Sequence, residues 1–345
     1  MTLRRRLIRI LLILLLLPPL LAGIAGWLVA PGFLHPIRRD LTPDLVREAD
    51  ASFAHSGGHR EDFNVRAPDG ILLHGWIVRT DHPNGNWVLL FHGVADNRIG
   101  VIGQSEFLLR AGYNVVMMDA RAHGASEGQI ATYGWLERND TKSVIEALLA
   151  QERRVRTDLQ VEQGHGPPAS MGNFPVRYPH PPAPPTPHIF ALGESMGAGI
   201  ALQSAAADPR IEGVVAESAF ANLREASYDY AGLRRSPMLG KTLFAPFSWM
   251  LLYRGEKLTG LPVAEVSPEK AVAARTFPVL LICDEKDEAL PCRHTERIYA
   301  AVRGPKQLWE VPGAFHTAAL GFQPAEFQRR VLDFYANVAQ SKPVQ

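Results

Sequence analysis

Six short runs rich in apolar residues constrain this chain more than any other feature. They are Trp87 to Phe91, Tyr113 to Met118, His188 to Leu192, Ile211 to Ala216, Val279 to Cys283 and Gln307 to Val311. Runs of this length with little polar alternation suit strands buried on both faces. Between them the spacing turns helical. Leu136 to Gln151 brings Val144, Ala147 and Leu148 to one face, Phe107 to Ala111 closes a helix before Gly112, Gly197 to Ala207 is a helix of small residues, and Phe327 to Val338 is a closing amphipathic helix. Ahead of the first run, Phe63 to Val78 reads as a hairpin about Pro68-Asp69-Gly70. Repeated strand-then-helix units with doubly apolar strands predict an α/β fold. The expectation is a mostly parallel eight-stranded sheet with helices on both faces.

Outside that rhythm stands the N-terminus. From Ile10 to Leu34 there are 25 consecutive residues without a formal charge. About 20 such residues span a bilayer as a helix, so residues 1–34 read as a membrane anchor. A cleaved signal peptide is the alternative, although its apolar region is normally about 7–15 residues and the small-residue cleavage signal is weak here. Arg4, Arg5, Arg6 and Arg9 precede the run and only Arg38 and Arg39 follow it closely. That bias leaves the N-terminus in the cytoplasm and sends the body outward, into the periplasm if the cell is Gram-negative. Residues 35–58 read as a tether with one short helix, Pro43 to Ala51, and residues 59–345 as the main domain.

Charge and cysteine content narrow the partners. Without the four N-terminal arginines, 32 basic residues face 35 acidic ones, and no basic stripe runs along the body. Such a surface is not built for nucleic acid. Cys283 and Cys292 are too few for a disulfide scaffold or a cysteine zinc cluster; the simpler reading makes one a core residue and the other a free thiol, with mutual pairing as the alternative. Residues 153–187 carry nine prolines and read as an exposed insertion, passive or partner-binding. Residues 222–276 contain the apolar stretch Met238 to Tyr253 and read as a helical cap inserted over the sheet edge.

The chemistry is concentrated in Gly193-Glu194-Ser195-Met196-Gly197, a G-x-S-x-G pattern between a buried strand and a helix. A serine on so sharp a turn is strained, and the glycines leave room for it. A serine hydroxyl needs a base, and the base needs an orienting carboxylate. The strand ending at Cys283 runs into Asp284-Glu285-Lys286-Asp287-Glu288, where Asp287 is the first choice because it lies deeper in the loop; Asp284, then Glu285 or Glu288, remain alternatives. His316 follows the last strand and can reach over Ser195, whereas His294 falls on a helix and reads as a surface residue. The N–H groups of Val94, in the His92-Gly93-Val94-Ala95-Asp96-Asn97 loop, and of Met196 are placed to cradle an oxyanion. His92 is expected to fix that loop through its ring, and the loop from Asp119 to Gly128 to position the site. A metal site on His92 and His123 lacks ligand spacing, and neither cofactor nor metal is expected.

These segments together resemble the α/β-hydrolase superfamily from about Glu61 to Val338, and within it the single-pass, membrane-anchored serine hydrolases. The ordered set is specific where each motif alone is not. Two departures stand out: the oxyanion loop lacks a glycine run, and the insertion before the nucleophile strand is long. The resemblance implies cleavage of a carboxyl ester, thioester, amide or peptide through an acyl-enzyme. An esterase acting on a small or lipid-like ester is the leading expectation, because the apolar cap lies near the anchor. A serine peptidase or amidase is the alternative, and a silent membrane-anchored binding protein is the third reading.

Overall fold

The computed structural model describes residues 3–162, 187–234 and 236–341. In chain order the helices are α1 (Leu3–Leu34), α2 (Pro43–His55), α3 (Ile102–Arg110), α4 (Glu137–Glu162), α5 (Met196–Ala207), α6 (Leu223–Ala231), α7 (Pro237–Lys241), α8 (Ala245–Thr259), α9 (Pro268–Ala274), α10 (Arg293–Ala301), α11 (Ala319–Phe322) and α12 (Pro324–Gln340). The strands are β1 (Gly58–Arg66), β2 (Leu72–Thr80), β3 (Trp87–Phe91), β4 (Asn114–Met118), β5 (Ile189–Glu194), β6 (Ile211–Glu217), β7 (Val279–Asp284) and β8 (Lys306–Val311). They form one sheet in the order β1-β2-β4-β3-β5-β6-β7-β8. The β1–β2 and β2–β4 pairs are antiparallel and every later pair is parallel. This is the α/β-hydrolase architecture expected from the sequence.

Burial explains why the strands read as they do. Every residue of β5 and of β7 is buried, because helices cover both faces of the central sheet. At the edges, β1 and β8 alternate buried and exposed positions. One face packs Val144 and Leu148 of α4, Ala201 of α5 and Ile298 of α10 against Leu89, Ala191 and Leu281. On the other face Phe53 of α2, Leu108 of α3 and Phe327 and Tyr335 of α12 cover Trp76, Val115 and Phe190. Phe190 is fully buried and stacks on Tyr335 with ring centroids 4.5 Å apart.

Helices α6 to α9 form the insertion between β6 and β7. Asn222 and Ser267 cap α6 and α9 through their side chains, and Gly260 ends α8 in a left-handed conformation that suits glycine. Helix α1 lays Gly23, Gly26, Ala30 and Leu34 inward, and a side chain at Gly26 would collide with the Phe247 backbone. Its Leu34 shares a buried cluster with Leu252 of α8 and Met196 of α5.

Three expectations change. The segment 35–58 is docked: Arg38 donates to the carbonyls of Gly124, Ser126 and Gly128, and Phe53 lies edge-on against Trp76. The proline-rich insertion begins later than residue 153, because α4 continues to Glu162; residues 163–186 lie outside the described part. Cys283 and Cys292 form a disulfide, so neither is a free thiol. Truncating Phe190 to alanine should cost about 3–5 kcal/mol of stability, measurable as a lower urea midpoint with an unchanged slope.

Candidate active site

Ser195 stands between the last residue of β5 and the first of α5, with φ at 53° and ψ at −119°. A non-glycine residue pays for this conformation only where surrounding structure enforces it. Here the enforcement is close backbone packing. A Cβ on Gly193 would lie 2.4 Å from the Gly197 carbonyl oxygen, and one on Gly197 would lie 2.2 Å from that of Phe91. The Ser195 N–H donates to the Glu217 backbone carbonyl across to β6 at 2.9 Å, which pins the turn to the sheet.

Two loops from the same sheet edge reach this hydroxyl. His316 Nε2 lies 2.9 Å from Ser195 Oγ, and its Nδ1 lies 2.6 Å from Asp287 Oδ2. The arrangement has the Ser195 hydroxyl donating to Nε2 and the Nδ1–H donating to the carboxylate. Asp287 Oδ1 accepts from the N–H groups of Ala289 and Leu290, each at 2.8 Å. Burial pushes the Asp287 carboxyl up, but the His316 hydrogen bond, its charge and those N–H donors outweigh it and hold the group below its ordinary range. The disulfide joins the end of β7 to the residue before α10, so it brackets the loop that carries Asp287.

The alternatives occupy other places. Asp284 is buried and accepts from the Ser218 hydroxyl and the Thr317 N–H, not from His316. Glu285 and Glu288 are exposed. His294 is not at the surface: it is 1% exposed, accepts from the Ala221 N–H, and its Nε2 lies 2.5 Å from Asp229 Oδ2. Burial first, and the neighbouring Arg293 charge next, lower its pKa to about 4. Arg293 also pairs with Asp229, so α6 of the insertion is tied to α10.

The loop after β3 approaches Ser195 from the other side. A Cβ on Gly93 would touch that of Ser195 at 3.8 Å. Val94, next in line, is partly exposed, and Met196 opens α5, where N–H groups lack an intrahelical partner. His92 is buried; its Nδ1 meets the Gly93 carbonyl at 2.7 Å and its Nε2 accepts from the Ala120 N–H at 3.0 Å. Burial lowers its pKa, which suits a neutral ring holding two loops together. Arg98 and Asp119, both buried, form a two-point pair between the same loops. His123 is buried against His92 with ring centroids 5.2 Å apart, and its Nδ1 meets the Arg121 carbonyl.

Arg98, Glu194 and Glu217 are residues that motif reading passes over. Glu194 is buried beside the nucleophile and accepts from Gln104 Nε2 at 3.1 Å. Burial first, and nearby Asp96 next, push its carboxyl up to about 8.

The model of the X-Pro dipeptidyl-peptidase (S15 family) matches residues 78–245. The chain is 27% identical to the uncharacterized protein YqkD of Bacillus subtilis (strain 168), over 81% of this chain and 80% of that protein. It is 25% identical to the uncharacterized protein YfhR of Escherichia coli (strain K12), over 79% and 80% respectively. Among solved structures, the Pyrococcus furiosus esterase Pf2001 superposes with a TM-score of 0.59 at 22% identity, covering 88% of this chain and 99% of that one. The Pyrococcus horikoshii acylaminoacyl peptidase gives 0.58 at 14% identity, covering 84% and 43%. The fold is that of the α/β-hydrolases, and over residues 78–245 the chain is similar to a peptidase family, so the likeness is to serine hydrolases of that fold.

The raised Glu194 pKa has a consequence for stability. The folded chain holds that proton more tightly than the unfolded chain, so the contribution is complete below the ordinary value of 4.5 and is lost as pH climbs through about 8. Between those limits the melting temperature of the wild type should fall more than that of Glu194→Gln, measured by calorimetry across the range.

Proposed function

We propose that Ser195 is the nucleophile of an acyl-transfer hydrolase, with His316 as its base and Asp287 as the group that orients the base. The observation that carries this reading is the continuous relay from Ser195 Oγ through His316 to Asp287, at 2.9 and 2.6 Å. Ser195 Oγ attacks the substrate carbonyl carbon as its proton passes to His316 Nε2. The N–H groups of Val94 and Met196 face the oxygen that gains the charge. His316 then returns the proton to the leaving group, and a water repeats the sequence to free the acid. Metal and cofactor have no part in this scheme.

The X-Pro dipeptidyl-peptidase model supports a peptide or amide bond better than the ester that the apolar cap suggests. The cap's acids bear on which amides fit. Glu225 pairs with Lys241 and Arg297, and Asp229 with Arg293 and His294, so neither offers an idle carboxylate to a peptide amine. The pairing of these two acids favours amides whose acyl side carries no free amine. The ester reading keeps its own support in the exposed Met238, Trp249 and Tyr253 of the cap.

The same proposal takes α1 as a membrane anchor with the hydrolase domain outside the cytoplasm. Most of the α1 leucines are exposed, while its Gly23 and Gly26 pack against Pro246 and Phe247, a contact that a cleaved peptide would lose. The disulfide is suited to an oxidising compartment. If α1 spans the bilayer, alkaline carbonate should leave the full chain in the membrane pellet, and release into the supernatant would contradict it.

A fluorophosphonate probe should label the wild type and leave Ser195→Ala unlabelled. His316→Ala should lower kcat by at least about 10³-fold with the fold retained. Turnover of p-nitrophenyl esters set beside free and N-acylated aminoacyl amides then decides the bond: preference for the N-acylated amides supports the leading reading, and preference for esters overturns it.

A further inference from the structure

Directly beneath the relay, three buried carboxyl groups stand at the ends of three neighbouring strands. Glu194 ends β5, Glu217 ends β6 and Asp284 ends β7. Glu194 and Glu217 are register partners, and Glu217 pairs with Ile282, two residues before Asp284. Glu217 and Asp284 are each 1% exposed.

Each of these two holds the chain just after His316. Glu217 Oε1 accepts from the Ala319 N–H at 2.9 Å, and Asp284 Oδ2 accepts from the Thr317 N–H at 3.0 Å and the Ser218 hydroxyl at 2.8 Å. Thr317 sits at a φ of 55°, so the turn it makes needs such restraint. The other oxygens, Glu217 Oε2 and Asp284 Oδ1, are buried without a donor among the described residues, while the two side chains lie within hydrogen-bonding reach of each other. Two buried anions at that separation repel each other, and among the described residues neither is paired with a lysine or an arginine. A single proton between them resolves both the repulsion and the unsatisfied oxygens.

We propose that Glu217 is a positioning residue for His316: its neutral carboxyl donates to Asp284, and the pair clamps the turn from Thr317 to Ala319 so that the imidazole stays aimed at Ser195. This rests on the role given to His316 above. The groups facing the pair are Glu194 from β5, and Asp287 and His316 from the loops above. Burial first, and then the charges of Asp284 and Glu194, raise the Glu217 carboxyl well above its ordinary range. As pH rises the shared proton is lost, the carboxylates repel, and the turn loosens.

The test uses the full chain and the pH dependence of fluorophosphonate labelling and of p-nitrophenyl ester turnover. Glutamine at 217 keeps an N–H to give Asp284 and an oxygen for Ala319, but it cannot ionise. Glu217→Gln should keep kcat within about threefold of the wild type near neutrality and lose the wild type's alkaline decline. Glu217→Ala should lose at least about tenfold in kcat with little change in KM, since substrate contacts are untouched. Glu194→Gln controls for the neighbour and should retain the decline. A carboxylic-acid C=O infrared band present in the wild type and missing from Glu217→Gln reads the proton without any turnover, and serves if the alanine variant does not fold. An alkaline decline unchanged in Glu217→Gln, or no difference in that band, overturns the inference while leaving the relay intact. Failure of the wild type to label would sink the relay, and this inference with it.

Discussion

The arrangement depends on one backbone constraint, the left-handed turn at Ser195. A side-chain-bearing residue at φ 53° is held there because β5 and α5 meet so closely that Gly193 and Gly197 have no space for a Cβ. The hydroxyl is thereby fixed relative to the sheet before any partner arrives. Each partner then has to be delivered to a point that cannot move, and the parallel strands do this by ending at one edge.

Each delivery is secured by a different means. The loop bearing Asp287 is bracketed by the Cys283–Cys292 disulfide. The turn after His316 is held through backbone N–H groups by two buried carboxyls. The loop bearing Val94 is tied to the Asp119 loop by His92 and by the Arg98–Asp119 pair. A buried ion pair adds little net stability but strongly penalises any arrangement that breaks it. Such pairs therefore serve geometry better than stability, which fits their concentration around this edge.

Much of this was legible in sequence because the signals are local. Doubly apolar runs mark the central strands, the glycines mark the turn at Ser195, and places just past strand ends point to Asp287 and His316 as its neighbours. What escaped depends on distant partners. His294 lies on a helix of surface character, yet Asp229, 65 residues earlier, meets it in the interior. Arg38 looked like a charge flanking an apolar segment, but three carbonyls of the Asp119–Gly128 loop surround its guanidinium. Glu217 follows a buried strand without any motif, and its surroundings exist only once β5, β6 and β7 lie side by side. Cysteine spacing allowed pairing or its absence, and only the fold brings the two Cα atoms to 5.3 Å.

In the proposed reaction a substrate's acyl group passes through a covalent bond to Ser195. Acid-quenching the enzyme during turnover of a slow ester or amide, followed by intact-mass measurement and peptide mapping, tests it most directly. The expected result is a mass increase equal to the acyl group, located on the peptide containing Ser195. An acyl group found on another residue, or turnover with no covalent adduct under conditions where deacylation limits the rate, would contradict it.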